Sequence, residues 1–126
     1  VEKDLMKSKK LLRFWIFPKD NPNLIIGTVN FYNITKGCFS NCQLGYKIDH
    51  EHIGKGYAYE AIKEAMKILK EEYNLHRIEA RIMPSNIASI KLIKKLDFHN
   101  EGLARSSIKI NGEWEDHFVY AYIEEG

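Results

Sequence analysis

One stretch limits the folds open to this chain more than any other: the point where its hydrophobic period changes from strand to helix across a short glycine loop. The stretch reads Ile53-Gly54-Lys55-Gly56-Tyr57-Ala58-Tyr59-Glu60-Ala61. Ahead of it lies an apolar, strand-like run over 44–48. After it, apolar residues recur at Ala58, Ile62, Ala65, Met66, Leu69 and Tyr73, the stripe of an amphipathic helix. Glu60, Lys63, Glu64, Lys67 and Lys70 fall on the other side and read as a solvated face. Strand, glycine loop and helix together expose backbone N–H groups at a helix N-terminus, where unpaired donors and the helix dipole both favour an anion. Gly54 and Gly56 carry no Cβ to obstruct a ligand, and Lys55 adds positive charge. The expectation is a phosphate or pyrophosphate site. The spacing fits neither the Gly-x4-Gly-Lys-Ser/Thr phosphate loop nor the three-glycine dinucleotide fingerprint. A plain glycine-bearing turn before a helix is the alternative.

At 126 residues the chain is expected to form one domain over 1–126. Its 44% hydrophobic and 29% charged residues suit an ordinary globular domain, and a net charge of +2 is too balanced to argue for nucleic acid. No apolar run is long enough to cross a bilayer and no signal peptide is visible, so a cytoplasmic protein without a membrane site is expected. The chain starts at Val1, and the lysine-rich residues 1–10 read as the end of a helix that begins upstream. Cys38 and Cys42 are too few for a disulfide scaffold. With no second closely spaced pair beside His50 and His52, they are read as reduced thiols and no metal is expected.

The remaining elements follow from period and punctuation. Strands are expected over 11–17, 24–31 and 38–48, joined by the turn cluster at 18–23 and a loop at 32–37, as an antiparallel meander. Asn74 is a stop for the helix over 58–73. Residues 77–83 alternate Ile78, Ala80 and Ile82 against Arg77, Glu79, Arg81 and Met83, and so form a strand. Ser85 or Asn86 caps a second helix with the stripe Ser89, Leu92, Ile93 and Leu96, and Asp97 takes the left-handed position after it. Strands over 98–110 and 113–123 are joined by Asn111-Gly112, a hairpin signal. The crossover through the first helix should be right-handed and make its flanking strands parallel, which puts the glycine loop at a strand's carboxyl end.

This order resembles the GNAT superfamily of acetyl-CoA-dependent N-acetyltransferases. The family's cofactor signature, Gln/Arg-x-x-Gly-x-Gly/Ala, falls on Ile53-Gly54-Lys55-Gly56-Tyr57-Ala58, with Gly56 and Ala58 matching and Ile53 in place of the polar residue. The Asn-x-x-Ser … Leu-Gly-Phe … Glu-Gly pattern is met by Asn86, Ser89, Leu96-Asp97-Phe98 and Glu101-Gly102, with Asp97 replacing glycine. Asn111-Gly112-Glu113-Trp114-Glu115-Asp116-His117, His76-Arg77-Ile78 and Leu44-Gly45-Tyr46 are similar to the Rim-type ribosomal-protein N-terminal acetyltransferases. The resemblance implies a mixed, mostly antiparallel α/β (α+β) sheet with helices on both faces. The family's first strand and first helix have no counterpart in the sequence.

It also implies acetyl transfer from acetyl-CoA to a primary amine, most directly the N-terminal α-amino group of a ribosomal protein, by a monomer or homodimer. Backbone groups of Ile53, Gly54, Lys55, Gly56, Tyr57 and Ala58 would hold the pyrophosphate. Lys47, Ile48 and Asp49 would align the pantetheine arm as an added strand. Asn86 is a helix cap, a cofactor contact or both, and Lys91, Lys94 and Lys95 are candidates for the 3′-phosphate or a solvated face. Many family members use a tyrosine of the second helix as general acid; Ile93 stands at that position, and the Rim branch implies Ser89 instead. The base stays open among Glu79, Glu101 and His117, with Asp116 beside the last; Ile108 occupies the position of one relative's glutamate. The alternatives are a polyamine or aminoglycoside acetyltransferase, whose pocket needs clustered carboxylates, and a non-catalytic CoA-binding or ribosome-associated module.

Overall fold

The computed structural model describes residues 2–5, 11–35 and 41–124. Seven strands make one sheet: β1 (Glu2–Leu5), β2 (Leu11–Ile16), β3 (Gly27–Thr35), β4 (Asn41–Ile48), β5 (Arg77–Ile82), β6 (His99–Ile110) and β7 (Glu113–Ile123), in the order β1-β2-β3-β4-β5-β7-β6. Two α-helices, α1 (Tyr57–Tyr73) and α2 (Ile87–Lys95), join β4 to β5 and β5 to β6. Every strand pair is antiparallel except β4 with β5. The mixed, mostly antiparallel sheet and the parallel crossover are as the sequence leads one to expect.

The ends of the elements follow local chemistry. Asn74 closes α1 in the left-handed conformation (φ 52°), and its N–H reaches back to the Lys70 carbonyl at 3.2 Å. Asn86 caps α2 by accepting the Ser89 N–H on Oδ1 at 3.2 Å. Asp97 is left-handed at φ 67°, and Asn111-Gly112 turn the β6–β7 hairpin with φ 50° and 84°. The core forms where the inward faces meet. Leu12, Phe14, Val29, Phe31, Ile62, Leu69 and Ile93 are almost wholly buried, with the sheet alternating and α1 presenting Ala61, Ile62, Ala65 and Leu69.

Two expectations about the strands are corrected. Glu2–Leu5 is not helical but an edge strand antiparallel to β2, with Lys3 opposite Phe14; pairing satisfies the outer backbone groups of β2, which a helix there would leave open. The second strand does not end at Phe31. It starts three residues late, because Ile26 turns inward and donates to the Ile16 carbonyl, and it continues to Thr35 through a bulge at Asn33 (φ 54°). Asparagine tolerates that conformation, and its side chain donates to Gln43 Oε1 at 3.1 Å across the bulge. Cys38 and the start of the expected third strand lie outside the described residues.

The helices do not flank the sheet. Among the described residues α1 and α2 lie side by side on one face: the Lys95 ammonium stands 4.3 Å from the centre of the Tyr59 ring, and Met66, Leu96, Ile78 and Tyr122 line one groove between them. Chain geometry accounts for this. β4, β5 and β6 run in the same direction and succeed one another toward the same edge, so two right-handed crossovers must pass over the same face.

At Gly27 the strands β3 and β4 approach so closely that an added methyl would collide with the Lys47 carbonyl oxygen, a backbone atom that cannot rotate away. Gly27→Ala is therefore expected to destabilise the fold by about 1–3 kcal/mol. Denaturant unfolding measures it, and an unchanged midpoint would rule out the close approach.

Candidate functional site: a splayed strand pair

The site begins where hydrogen bonding stops. β4 and β5 pair only over Asn41↔Arg77, Cys42↔Ile78 and Gln43↔Glu79, while β4 runs on to Ile48 and β5 to Ile82. Each wall is braced from outside. β4 stays in register with β3 as far as Ile48↔Gly27, and β5 stays in register with β7 as far as Ile82↔Phe118. Between them opens a cleft of about 470 Å³, lined by Tyr32, Leu44, Gly45 and Tyr46 on one side and by Ala80, Arg81, Ile82, Met83, Ser85, Asn86, Ser89, Ile93 and His117 on the other. No β5 residue pairs with the stretch of β4 that contains Lys47 and Ile48, so that edge of β4 offers backbone donors and acceptors to an extended ligand.

The glycine loop follows the carboxyl end of β4. Asp49 leaves β4, its N–H held by the Ile26 carbonyl at 2.6 Å, and a single 3-10 turn over His50–His52 leads into the loop. Gly54 and Gly56 take φ 82° and 83°, and at neither would a Cβ meet any atom within 4 Å. These glycines are needed for conformation, and the space beside them is open to a ligand. Gly56 is the N-cap of α1 and supplies no side-chain cap, and the Glu60 N–H to the Gly56 carbonyl is the helix's first bond. The N–H groups of Tyr57, Ala58 and Tyr59 precede it at the positive end of a 17-residue helix. Lys55 and Ile53 are exposed, Ile53 by 55%.

Inside the cleft two hydroxyls meet. Tyr46 Oη lies 2.7 Å from Ser89 Oγ, joining β4 to the first turn of α2. Burial pushes the Tyr46 phenol above its ordinary value, partly offset by that hydrogen bond, so it stays protonated at neutral pH. Ile93 is core at 1% exposure. Tyr46 went unrecognised in the sequence because alternation places it only on the helix-facing side of β4. Its proximity to Ser89, 43 residues away, depends on the splay.

The candidate bases separate. Glu79 and Glu101 lie away from the cleft and share one cation: Arg77 donates to Glu101 Oε2 at 2.9 Å and to Glu79 Oε2 at 3.2 Å. The guanidinium holds the Glu101 carboxyl below the usual carboxylate range. Asp116 accepts the Ser106 N–H at 2.8 Å and fixes the left-handed Ser106 (φ 47°) in the β6 bulge. His117 alone of the three lines the cleft, at 4% exposure. Its Nδ1 lies 3.0 Å from the Glu115 carbonyl, which can only accept, so Nδ1 carries the proton and Nε2 is the ring's acceptor. Lys95 covers Tyr59, while Lys91 and Lys94 are exposed. Among the described residues no group of His, Cys, Asp and Glu side chains is placed to hold a metal.

Residues 3–99 match the acetyltransferase (GNAT) domain, and the chain belongs to that family. It is 43% identical over 110 residues to the probable N-acetyltransferase YjcK of Bacillus subtilis, covering 87% of this chain and 60% of the relative. It is 39% identical over 108 residues to the [ribosomal protein uS5]-alanine N-acetyltransferase of Escherichia coli, covering 86% and 55%. Among solved structures it superposes with TM-score 0.85 on Mycobacterium smegmatis RimJ in complex with CoA-disulfide, at 26% identity, covering 93% of this chain and 55% of that one. The chain thus spans just over half the length of these relatives.

Cys42 sits in the core beneath the closed end of the cleft, and burial pushes its thiol up to about 12. The folded value lies above the unfolded one, so the stability it contributes is full below about pH 8.5 and falls as pH rises beyond it. In a Cys38→Ser background, Cys42 is expected to resist iodoacetamide at about pH 8.5 until the protein unfolds. Labelling of the native protein at the rate of a free thiol would contradict the burial.

Proposed function

We propose that this protein transfers the acetyl group of acetyl-CoA to the N-terminal α-amino group of a protein, with a ribosomal protein as the acceptor suggested by the similarity to the Escherichia coli enzyme. The observation that carries the reading is the splay: an edge of β4 unpaired with β5, followed in the chain by a glycine-capped helix, beside a cleft lined by a serine hydroxyl. The N–H groups from Gly54 to Ala58 hold the pyrophosphate, assisted by the dipole of α1. The backbone of Lys47, Ile48 and Asp49 aligns the pantetheine as an added strand. A β4 N–H beside the thioester carbonyl stabilises the developing oxyanion. The loop suits this role without the family's polar residue at Ile53, because its donors are backbone groups.

The amine attacks in its neutral form. An α-amino group titrates near ~8, so its deprotonation at neutral pH costs little. His117, with Nε2 as acceptor, is the base, taking the proton directly or through water. Ser89 protonates the departing sulfur, and Asn86 fixes its backbone. Glu79 and Glu101 are committed to Arg77 and serve the sheet. The scaffold is shared with relatives of other substrates, and the ribosomal acceptor rests on the similarity to the Escherichia coli enzyme.

Calorimetric titration with acetyl-CoA is expected to give one site per chain. Turnover is expected to be faster on peptides that begin with alanine or serine than on spermidine or an aminoglycoside. His117→Gln should lower kcat/KM by about 10²-fold or more, with acetyl-CoA affinity retained. Absence of acetyl-CoA binding would remove the enzyme reading, and faster turnover of the polyamine would transfer it to a small-molecule acceptor.

A further inference from the structure

A serine hydroxyl is a far poorer acid than a thiol, so Ser89 by itself gains little by giving its proton to a departing thiolate. The structure sets a stronger acid directly behind it. Tyr46 Oη and Ser89 Oγ are 2.7 Å apart, the ordinary length of a hydrogen bond between hydroxyls. Either hydroxyl can donate in this pair; with the phenol, the more acidic of the two, as donor, the serine O–H is free to turn elsewhere. Both residues line the cleft; Ile93, about one turn further along α2, lines it too but is almost wholly buried and offers no polar atom.

The two ends of the pair are independently fixed. Ser89 is held through its N–H by the Asn86 side chain at 3.2 Å, in the first turn of α2. Tyr46 is held by its place in β4, opposite Val29, and packs against the core. The hydrogen bond therefore spans the two walls that the strand pairing has released. No ladder bond connects those walls at this height, because the β4–β5 register ends at Gln43↔Glu79.

Resting on the acetyl-transfer reading, we propose that Tyr46 is the proton source behind Ser89, the second member of a two-hydroxyl relay that protonates the leaving thiolate. The amine nitrogen bonds to the thioester carbonyl carbon, and the C–S bond breaks with its electron pair going to sulfur. Ser89 gives its proton to the sulfur and takes the proton of Tyr46 in the same movement, and Tyr46 regains one from solvent. The proton lost by the amine leaves through the base, so amine and thioester become amide and thiol with no net change in the protein. Tyr46 touches Ser89 rather than the reacting atoms, so it is a positioning and supply residue.

The test is a double-mutant cycle on Tyr46→Phe and Ser89→Ala in the protein carrying this sequence, with kcat, KM for acetyl-CoA and acetyl-CoA binding measured for each. Tyr46→Phe is expected to lower kcat about 10-fold or more and to leave KM and binding unchanged. The double variant is expected to be no slower than Ser89→Ala, because two members of one relay cannot be lost twice. Ser89→Thr keeps the hydroxyl and should retain most of the activity. An active protein in which Tyr46→Phe leaves kcat unchanged, or in which the two losses multiply, overturns the relay alone. A loss that falls on acetyl-CoA binding instead of kcat likewise overturns it. A wild-type protein that binds no acetyl-CoA overturns the acetyl-transfer reading, and the relay with it.

Discussion

The hydrogen bonds that β4 and β5 do not make govern this molecule. A parallel pair buried beneath two helices would ordinarily bond along its whole length, since unpaired backbone groups in a sheet interior are costly. Here three residue pairs form and the ladder stops. The strands can part because each is fully bonded on its other side, β4 to β3 and β5 to β7. The unpaired groups then face a cleft where water or a ligand can satisfy them. The glycine loop, the helix it opens and the hydroxyl pair all take their positions from that opening.

Much of this arrangement could be read from the sequence where a local rule decides it. The two helical stripes, the Asn86 cap, the stop at Asn74, the left-handed Asp97 and the Asn111-Gly112 turn are each written in a few adjacent residues and appear as expected. The β1 strand was not legible, because its reason is the open edge of β2 and nothing within Glu2–Leu5 itself. The side of the sheet taken by α2 was not legible either. It depends on β7 inserting between β5 and β6, a pairing that no short window contains. Tyr46 was hidden for the same reason, since its partner is 43 residues away across a gap that local periodicity cannot reveal.

The charged residues show how composition misleads about chemistry. Glu79, Glu101 and His117 were equal candidates for a base while only residue type was known. The structure separates them by partners. One guanidinium, at Arg77, takes both carboxylates, and Lys70 takes Glu124 at 3.0 Å. Such solvent-screened pairs add little stability, so their value here lies in fixing side chains. His117 is set apart by burial and by a carbonyl that dictates which nitrogen holds the proton.

Gly45 carries a consequence of a different kind. The Tyr32 hydroxyl occupies the space that a side chain at position 45 would need, so any Cβ there collides with the phenol. Residues 32 and 45 therefore cannot vary independently: bulk at one demands its removal at the other. Because both line the cleft, exchanging bulk between them would reshape the wall on the β3–β4 side while the remaining lining stayed as it is. The pair is thus a natural point at which related chains can diverge in what they admit, by a compensated exchange of volume rather than by a change of charge.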